Sequence, residues 1–392
     1  MNRTVVVAGA GVGGLSVADR LRAILPERDR IVLVDRSFDG TLGLSLLWVL
    51  RGWRNTDEVR VRPTAAALPG VEFVAATIES IDTAGRGVRT DIAGVIGYDA
   101  LVIALGAELD TAKVPGLAEA LASDVAGQFY TLDGAARLHD LVQDLKRGRV
   151  VVLVGGVPFK CPAAPFEAAL LIADQLGDRH SSGAVWIDTF TPDPLPMPVA
   201  GPEVGKALVG MLESRGVGFH PGKTVTAVDA AARTLRFADG GSESFDLLAV
   251  VPPHAPTAAV VSTELALTGW IPVDPATLAT TASGVWAIGD TTVLTLPNGK
   301  PLPKAAVFAK SEAEVVAYGV ARHLGYEVPE LAFTGEGACY VEVGGHEAAK
   351  GAGNFLNPPA PSVTLHEPSR EFHEEKAAEE REWIARWNTV TP

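Results

Sequence analysis

One apolar run that ends in glycines constrains this chain more than any other feature. Thr4-Val5-Val6-Val7-Ala8 reads as a strand buried on both faces, and Gly9-Ala10-Gly11-Val12-Gly13-Gly14 follows at once. Leu15, Ala18, Leu21 and Leu25 then recur at helical spacing, and a second strand over 31–34 ends at Asp35. Strand, glycine turn, helix, strand and acid is the order of a dinucleotide-binding unit. In such a unit Gly9 permits the turn, Gly11 lets the backbone approach a pyrophosphate, and Gly14 lets helix and strand pack closely. The helix N-terminus then faces the phosphates. Asp35, 21 residues after Gly14, can accept both ribose hydroxyl hydrogen bonds. A glycine-rich turn without a ligand is the plainer alternative.

Three later segments bear on which dinucleotide is held. Val285-Trp286-Ala287-Ile288-Gly289-Asp290 is a short apolar strand ending in Gly-Asp, with a helix-like run over 305–324 behind it. Val102-Ile103-Ala104-Leu105-Gly106 is a second such strand, and Thr77-Ile78 follows strand-like residues 71–75. Together these resemble the FAD-dependent two-dinucleotide-domain oxidoreductases. The resemblance implies FAD as cofactor, with Gly289 and Asp290 as the second fingerprint and Asp290 on a ribityl hydroxyl. It also implies that Gly106 lies where the chain leaves the flavin domain, and that Ile78 touches the adenine edge.

Arg149-Val150-Val151-Val152-Leu153-Val154-Gly155-Gly156, a helical stretch over 165–176 and a strand over 185–189 repeat the first pattern. The expected fold is therefore α/β, with two Rossmann-like dinucleotide-binding domains and a C-terminal α+β interface domain. Residues 1–110 plus 255–325 would form the FAD-binding domain, 111–254 the second domain with a degenerate nucleotide loop, and 326–392 the interface domain. Its glycines lead into Val157-Pro158-Phe159-Lys160-Cys161-Pro162, where two prolines supply no N–H and restrict the chain. NAD(P)H is accordingly not expected as a substrate.

The segment Lys160-Cys161-Pro162-Ala163-Ala164-Pro165-Phe166-Glu167 closely resembles the Cys-Pro-Pro-Ala-Pro-Tyr-Glu signature of sulfide:quinone oxidoreductases and of the flavoprotein subunit of flavocytochrome c sulfide dehydrogenases. It departs from it at Ala163 and Phe166. Phe245-Asp246-Leu247-Leu248, Pro252-Pro253-His254, Pro303-Lys304-Ala305-Ala306, Cys339-Tyr340 and residues 383–387 match as well, so the resemblance spans nearly the whole chain.

Only two cysteines occur, 178 residues apart, which fits neither a structural zinc site nor a disulfide framework. Cys161 lies in a proline-flanked loop, and Cys339 opens a strand-like run over 339–343. A thiol reacts as thiolate and needs positive potential nearby, which Lys160 is placed to supply. The resemblance implies that both cysteines lie on one side of the flavin as a redox pair, bridged directly or through extra sulfur, with Cys339 facing the flavin. Hydrosulfide would attack one sulfur, leave a persulfide and release the partner as thiolate. Two electrons would pass to FAD, with zero-valent sulfur or polysulfide as product. Two buried, unreactive cysteines are the plainer alternative. Glu167 matches the family glutamate and either moves protons to and from the sulfur or serves as a helix N-terminal carboxylate. Lys304 matches the family lysine near the flavin pyrimidine, where a cation favours the anionic reduced flavin. The eight histidines form no metal-binding spacing, and His220 and His254 are only faint proton-relay candidates.

Disulfide reductases of the same superfamily carry a cysteine early in the flavin domain, and residues 35–59 hold none. Type II NADH dehydrogenases need the second fingerprint and no cysteine. Lys and Arg number 33 against 47 Asp and Glu, a net −14 without a basic cluster, so nucleic acid is not an expected partner. No leader-like segment precedes Thr4, and the longest apolar stretches run about ten residues, so a cytoplasmic protein with no membrane span is expected. The tail over 370–387 carries six acids and four bases, with Trp383, Ile384 and Trp387 on one helical face. If quinone is the acceptor, that face would dip into the membrane interface as a peripheral contact, and its removal would spare flavin reduction by sulfide. If a c-type cytochrome subunit is the acceptor, the aromatics would be buried and the acidic surface would steer a basic partner. A homo-oligomer is expected, and a flavin-binding scaffold or sensor without turnover stays open.

Overall fold

The computed structural model describes residues 2–266 and 268–388. The opening apolar run folds as the strand Thr4–Ala8 at the centre of a five-stranded parallel sheet. Ala100–Ile103 and Arg30–Asp35 flank it, with Val285–Ala287 and Glu72–Ala75 at the edges. Side chains alternate across a strand, and here each face has its own cover. Val5 and Val7 pack with Leu15, Leu21, Val316 and Val320 of the helices Val12–Ile24 and Ala306–His323. Val6 and Ala8 face the other way, toward Ile81, Val88 and Ile96 of the antiparallel meander Ile78–Asp82, Gly87–Thr90 and Gly94–Gly97. A strand covered on both sides has no place for a polar side chain, and each valine it buries contributes about 1.5–3 kcal/mol.

The second unit repeats the first strand for strand. Its parallel sheet runs Ala126–Gln128, Leu247–Val251, Gly148–Val154, Val185–Phe190, Val217–His220, so Gly148–Val154 takes the place of Thr4–Ala8. Val150, Val152 and Val154 join the helix Ala164–Leu176, while Val151 and Leu153 meet Leu235 and Phe237 of a second meander. The chain is α/β, built on two Rossmann-like sheets.

An antiparallel sheet of Glu336–Gly344, Glu347–Asn354 and Ser362–Ser369 follows, closed by the helix Arg370–Trp387. Val341, Val343 and Ala349 share a core with the helix Ala164–Leu176, which lays this sheet against the helix that follows Cys161. The first of these strands begins three residues before Cys339 rather than at it.

The terminal helix decides between two environments that its sequence leaves open. Trp387 is 2% exposed and sits in the core of the first unit, with Trp383 and Ile384 packed against the same cluster. Arg386 ties this end down through Asp19 (2.6 Å) and the Ala67 carbonyl (2.7 Å), and Lys310 reaches Glu379 at 2.6 Å. Of the two environments left open for this stripe, membrane interface or protein, the structure shows the second: it is turned inward onto the apolar surface of the first unit. Among the described residues no helix is long and apolar enough to cross a membrane. Residues 389–392 of the tail lie outside the described residues.

Candidate active site

The glycines of the first loop divide by what a side chain would meet. At Gly9 (φ +99°) a Cβ would stand 2.4 Å from the Ala104 carbonyl oxygen, and at Gly14 it would stand 1.8 Å from that of Gly9. Those two are required by the chain's own packing. At Gly11 a Cβ would meet nothing within 4 Å, in front of a helix whose N-terminus has no side-chain cap. Open space beside uncapped N–H groups is what a pyrophosphate needs. Gly106 also faces open space. Asp35 accepts from the N–H groups of Ala10 (2.9 Å), Ser37 (3.0 Å) and Phe38 (3.1 Å), which shapes the loop and still leaves lone pairs for a ribose. Ile78, half-buried, opens the first meander.

A second group of residues gathers where the chain turns into the helix Ala306–His323, which starts with neither a side-chain cap nor a first-turn acid. Gly289 donates its N–H to Glu312 Oε2 at 2.7 Å, and burial raises the carboxyls of Asp290 and Glu312, the latter to about 7. Lys304 is 8% exposed and donates to the carbonyls of Asp290 (2.7 Å) and Thr292 (2.8 Å), with its ammonium 3.7 Å from the Trp270 ring centroid. Burial pulls it down to about 8. Lys304 therefore clamps the 290–292 turn as well as placing a charge there. Tyr130 Oη, His254 Nε2 and Thr291 Oγ1 are buried without a protein partner. Two open helix ends, an unfilled glycine approach and unpartnered polar atoms fit FAD.

The cysteine loop is stitched to this group. Cys161 donates its N–H to the Lys304 carbonyl at 2.7 Å, and Lys160 pairs with Lys304 in a short parallel bridge. Cys161 holds φ 55°, a left-handed conformation that costs a residue with a side chain about 1–3 kcal/mol. Glu167 follows in the first turn of Ala164–Leu176, 2% exposed. Cys339 arrives from the strand packed on that helix. The two sulfurs share their surroundings: Cys339 acts on Cys161, and Glu167 and Lys376 act on both. Both are free thiols, half-buried as residues, and desolvation followed by the anionic neighbours pushes Cys161 up to about 12 and Cys339 up to about 11.

That overturns the expectation for Lys160. Its ammonium lies 6.0 Å from the Tyr130 ring centroid, and its charge reaches Asp290 and His254 instead. The cation that faces the thiols is Lys376 of the terminal helix, 2% exposed, ion-paired with Glu167 and 3.6 Å from Glu342. Burial raises Glu167 to about 7 even though Lys376 opposes the shift. A carboxyl poised there can take and return a proton at neutral pH. His220 bonds Asp188 (2.8 Å) and stacks on Phe190 (4.4 Å), so it belongs to the strand lattice of the second unit. His254 bonds the Pro252 carbonyl through Nδ1 (2.9 Å) and is pulled to about 4 by burial, which keeps it neutral.

Lys376, Glu342 and His373 were missed in the sequence for a definite reason. His373, Lys376, Ala377, Glu380 and Trp387 recur at helical spacing and form the buried face of the terminal helix, yet three of the five are polar. Apolar periodicity points only to the tryptophan end of that face, and nothing local marks Glu342 as buried.

Residues 3–313 match the model of the pyridine nucleotide-disulphide oxidoreductase family. The chain is similar to the mitochondrial sulfide:quinone oxidoreductase of Dictyostelium discoideum, 26% identical over 333 residues that cover 81% of this chain and 70% of that protein. It is also similar to the alternative NAD(P)H-ubiquinone oxidoreductase C1 of Arabidopsis thaliana, 27% identical over 369 residues covering 81% of this chain and 66% of that one. In fold it follows the crystal structure of the sulfide:quinone oxidoreductase from Aquifex aeolicus, with a TM-score of 0.85 and 22% identity over 100% of this chain and 93% of that one. The chain belongs to the pyridine nucleotide-disulphide oxidoreductase family, grouping there with the sulfide:quinone oxidoreductase flavoproteins, and is an FAD-dependent oxidoreductase.

Proposed function

We propose that the chain oxidises sulfide through a Cys161/Cys339 redox pair and passes the electrons by way of FAD to a quinone. The observation that carries this reading is the convergence of Cys161, Cys339 and Glu167 on a loop hydrogen-bonded to Lys304, beside the residues that fit a flavin. When the pair is oxidised, hydrosulfide attacks one sulfur, the S–S bond breaks, a persulfide forms on Cys161 and Cys339 leaves as thiolate. FAD supplies a two-electron acceptor when bound. Each hydrosulfide gives up two electrons and one proton and departs as zero-valent sulfur. Desolvation disfavours a thiolate here, so the leaving Cys339 needs the Lys376 charge, and Glu167 receives the proton. Asp35 and Gly11 hold the adenosine half of FAD in this reading, Ile78 its adenine edge, and Gly106, Gly289, Asp290 and Lys304 the flavin half.

Quinone as acceptor is supported by the similarity to the Dictyostelium sulfide:quinone oxidoreductase and to the Arabidopsis NAD(P)H-ubiquinone oxidoreductase, the second of which takes electrons from NAD(P)H. Pro158 and Pro162 in the second loop argue against that donor here. The inward tryptophans are what a cytochrome-coupled form would show, so the acceptor is tested directly. FAD-loaded protein given sulfide should reduce a short-chain ubiquinone faster than it reduces cytochrome c. Reduction of cytochrome c alone would move the assignment to a cytochrome-coupled sulfide dehydrogenase.

A further inference from the structure

Buried ionisable groups do not stop at Glu167. Lys376 Nζ is paired with Glu167 on one side and lies 3.6 Å from Glu342 Oε1 on the other. The Glu342 carboxylate is 3.1 Å from His373 Nδ1, and His373 Nε2 is 3.3 Å from His346 Nδ1. Glu167, Lys376, Glu342 and His373 are 8% exposed or less, whereas His346 is exposed on the turn that joins Glu336–Gly344 to Glu347–Asn354. The array thus begins beside two thiols and ends in water.

We propose that Glu167, Lys376, Glu342, His373 and His346 form a proton relay between the thiol site and solvent, through which protons released at the sulfurs leave the protein. The proposal takes its proton source from the sulfide chemistry above. Each member can pass a proton on: a carboxylate accepts one, an ammonium gives one and takes another back, and an imidazole binds at one nitrogen while releasing from the other. The net transfer is one proton from a thiol or hydrosulfide to bulk water, with no change in the charge of the relay. His373 faces Glu342 and His346, between the rings of Trp48 and Trp53 at 5.6 and 5.5 Å. His346 stacks on Trp53 at 4.3 Å and faces His373, Glu342, Asp174 and Arg51. Desolvation, then His373, pulls His346 below the ordinary histidine value, which leaves it neutral and able to receive a proton at pH 7. Stability gives no reason for such an array, since a buried ion pair can be replaced by apolar side chains without loss.

His346→Asn tests the exit, because asparagine tolerates the left-handed backbone (φ 59°) and the residue is exposed. His373→Gln tests the step before it. In FAD-loaded full-length protein, each should slow flavin reduction by sulfide about tenfold or more. Added imidazole should restore the rate, and the pH profile of the remaining activity should change. Wild-type rates and profiles in both variants, or losses that imidazole does not relieve, would overturn the relay. A second readout needs neither sulfide nor quinone: infrared detection of hydrogen–deuterium exchange at the Glu167 carboxyl, assigned with Glu167→Gln. Exchange should be slower in both variants, and wild-type exchange in both would likewise overturn the relay. Slow exchange in the variants together with a wild type that sulfide does not bleach would uphold the relay and refute the sulfide reading.

Discussion

Replacing Lys376 with methionine removes one buried charge while roughly conserving the volume of its stem. In the native chain this ammonium serves Glu167 and Glu342, which are 2% and 0% exposed, and its Nζ stands 5.0 Å from the Trp48 ring centroid. The variant leaves two carboxyl groups in the interior with no cation between them. Breaking a buried pair from one side costs about 3–5 kcal/mol, mostly the uncompensated charge that remains. The cost depends on pH. Burial already raises Glu167 from 4.5 to about 7, and losing Lys376 moves it further up. A group whose native pKa is raised gives stability that is full below its unfolded value and lost as pH rises through its native value. Destabilisation should therefore be small near pH 5, where Glu167 takes up a proton, and larger near about pH 8. Urea unfolding at the two pH values measures it, read as a shift in midpoint because a chain of several units need not unfold in two states. Equal losses at both pH values would show that Lys376 acts by packing its stem and would refute the charge argument.

Gly11→Ala should fold normally and fail to retain FAD, because its Cβ meets nothing in the chain, whereas Gly14→Ala should damage the fold itself through the 1.8 Å approach to Gly9. Flavin absorbance and thermal melts separate the two. Cys161→Ser and Cys339→Ser should each abolish flavin reduction by sulfide with FAD still bound, and the double variant should be no worse, as for residues that act as one unit. Full activity in either single variant would remove the pair. Ending the chain at Ser369 should lower stability by about 3–5 kcal/mol from the loss of Trp387 alone. Contrary to the expectation from sequence, it should also abolish sulfide reduction, since Lys376 leaves with it; a truncated protein that melts like the whole chain and is still bleached would show the tail to be dispensable.

Both parallel sheets were legible because a doubly covered strand admits only apolar side chains, so Thr4–Ala8 and Gly148–Val154 announce themselves without any tertiary information. Gly9 and Gly14 were legible too, since the chain's own packing leaves no room for a side chain there, and Gly11 was legible from its place in the same turn. The terminal helix is legible over its correct span, but its environment is not. Its tryptophans show an apolar face, but nothing local says whether lipid or the first unit covers it, and the answer came from Arg386 reaching Asp19 across 367 positions. Lys376 was hidden for the same reason. A buried lysine looks like any surface lysine until the carboxylates it meets, here Glu167 and Glu342, are brought in from distant elements. The thiols were misjudged because Lys160 adjoins Cys161 in sequence, while its side chain is turned toward Tyr130.

The central claim is that a thiol pair beside FAD takes electrons from sulfide rather than from a nicotinamide. An anaerobic spectral titration of the FAD-loaded protein, first with sulfide and then in a separate sample with NADH, tests it most directly. Sulfide should bleach the flavin in one two-electron step, while NADH should do so poorly. Fast stoichiometric bleaching by NADH with none by sulfide would contradict it.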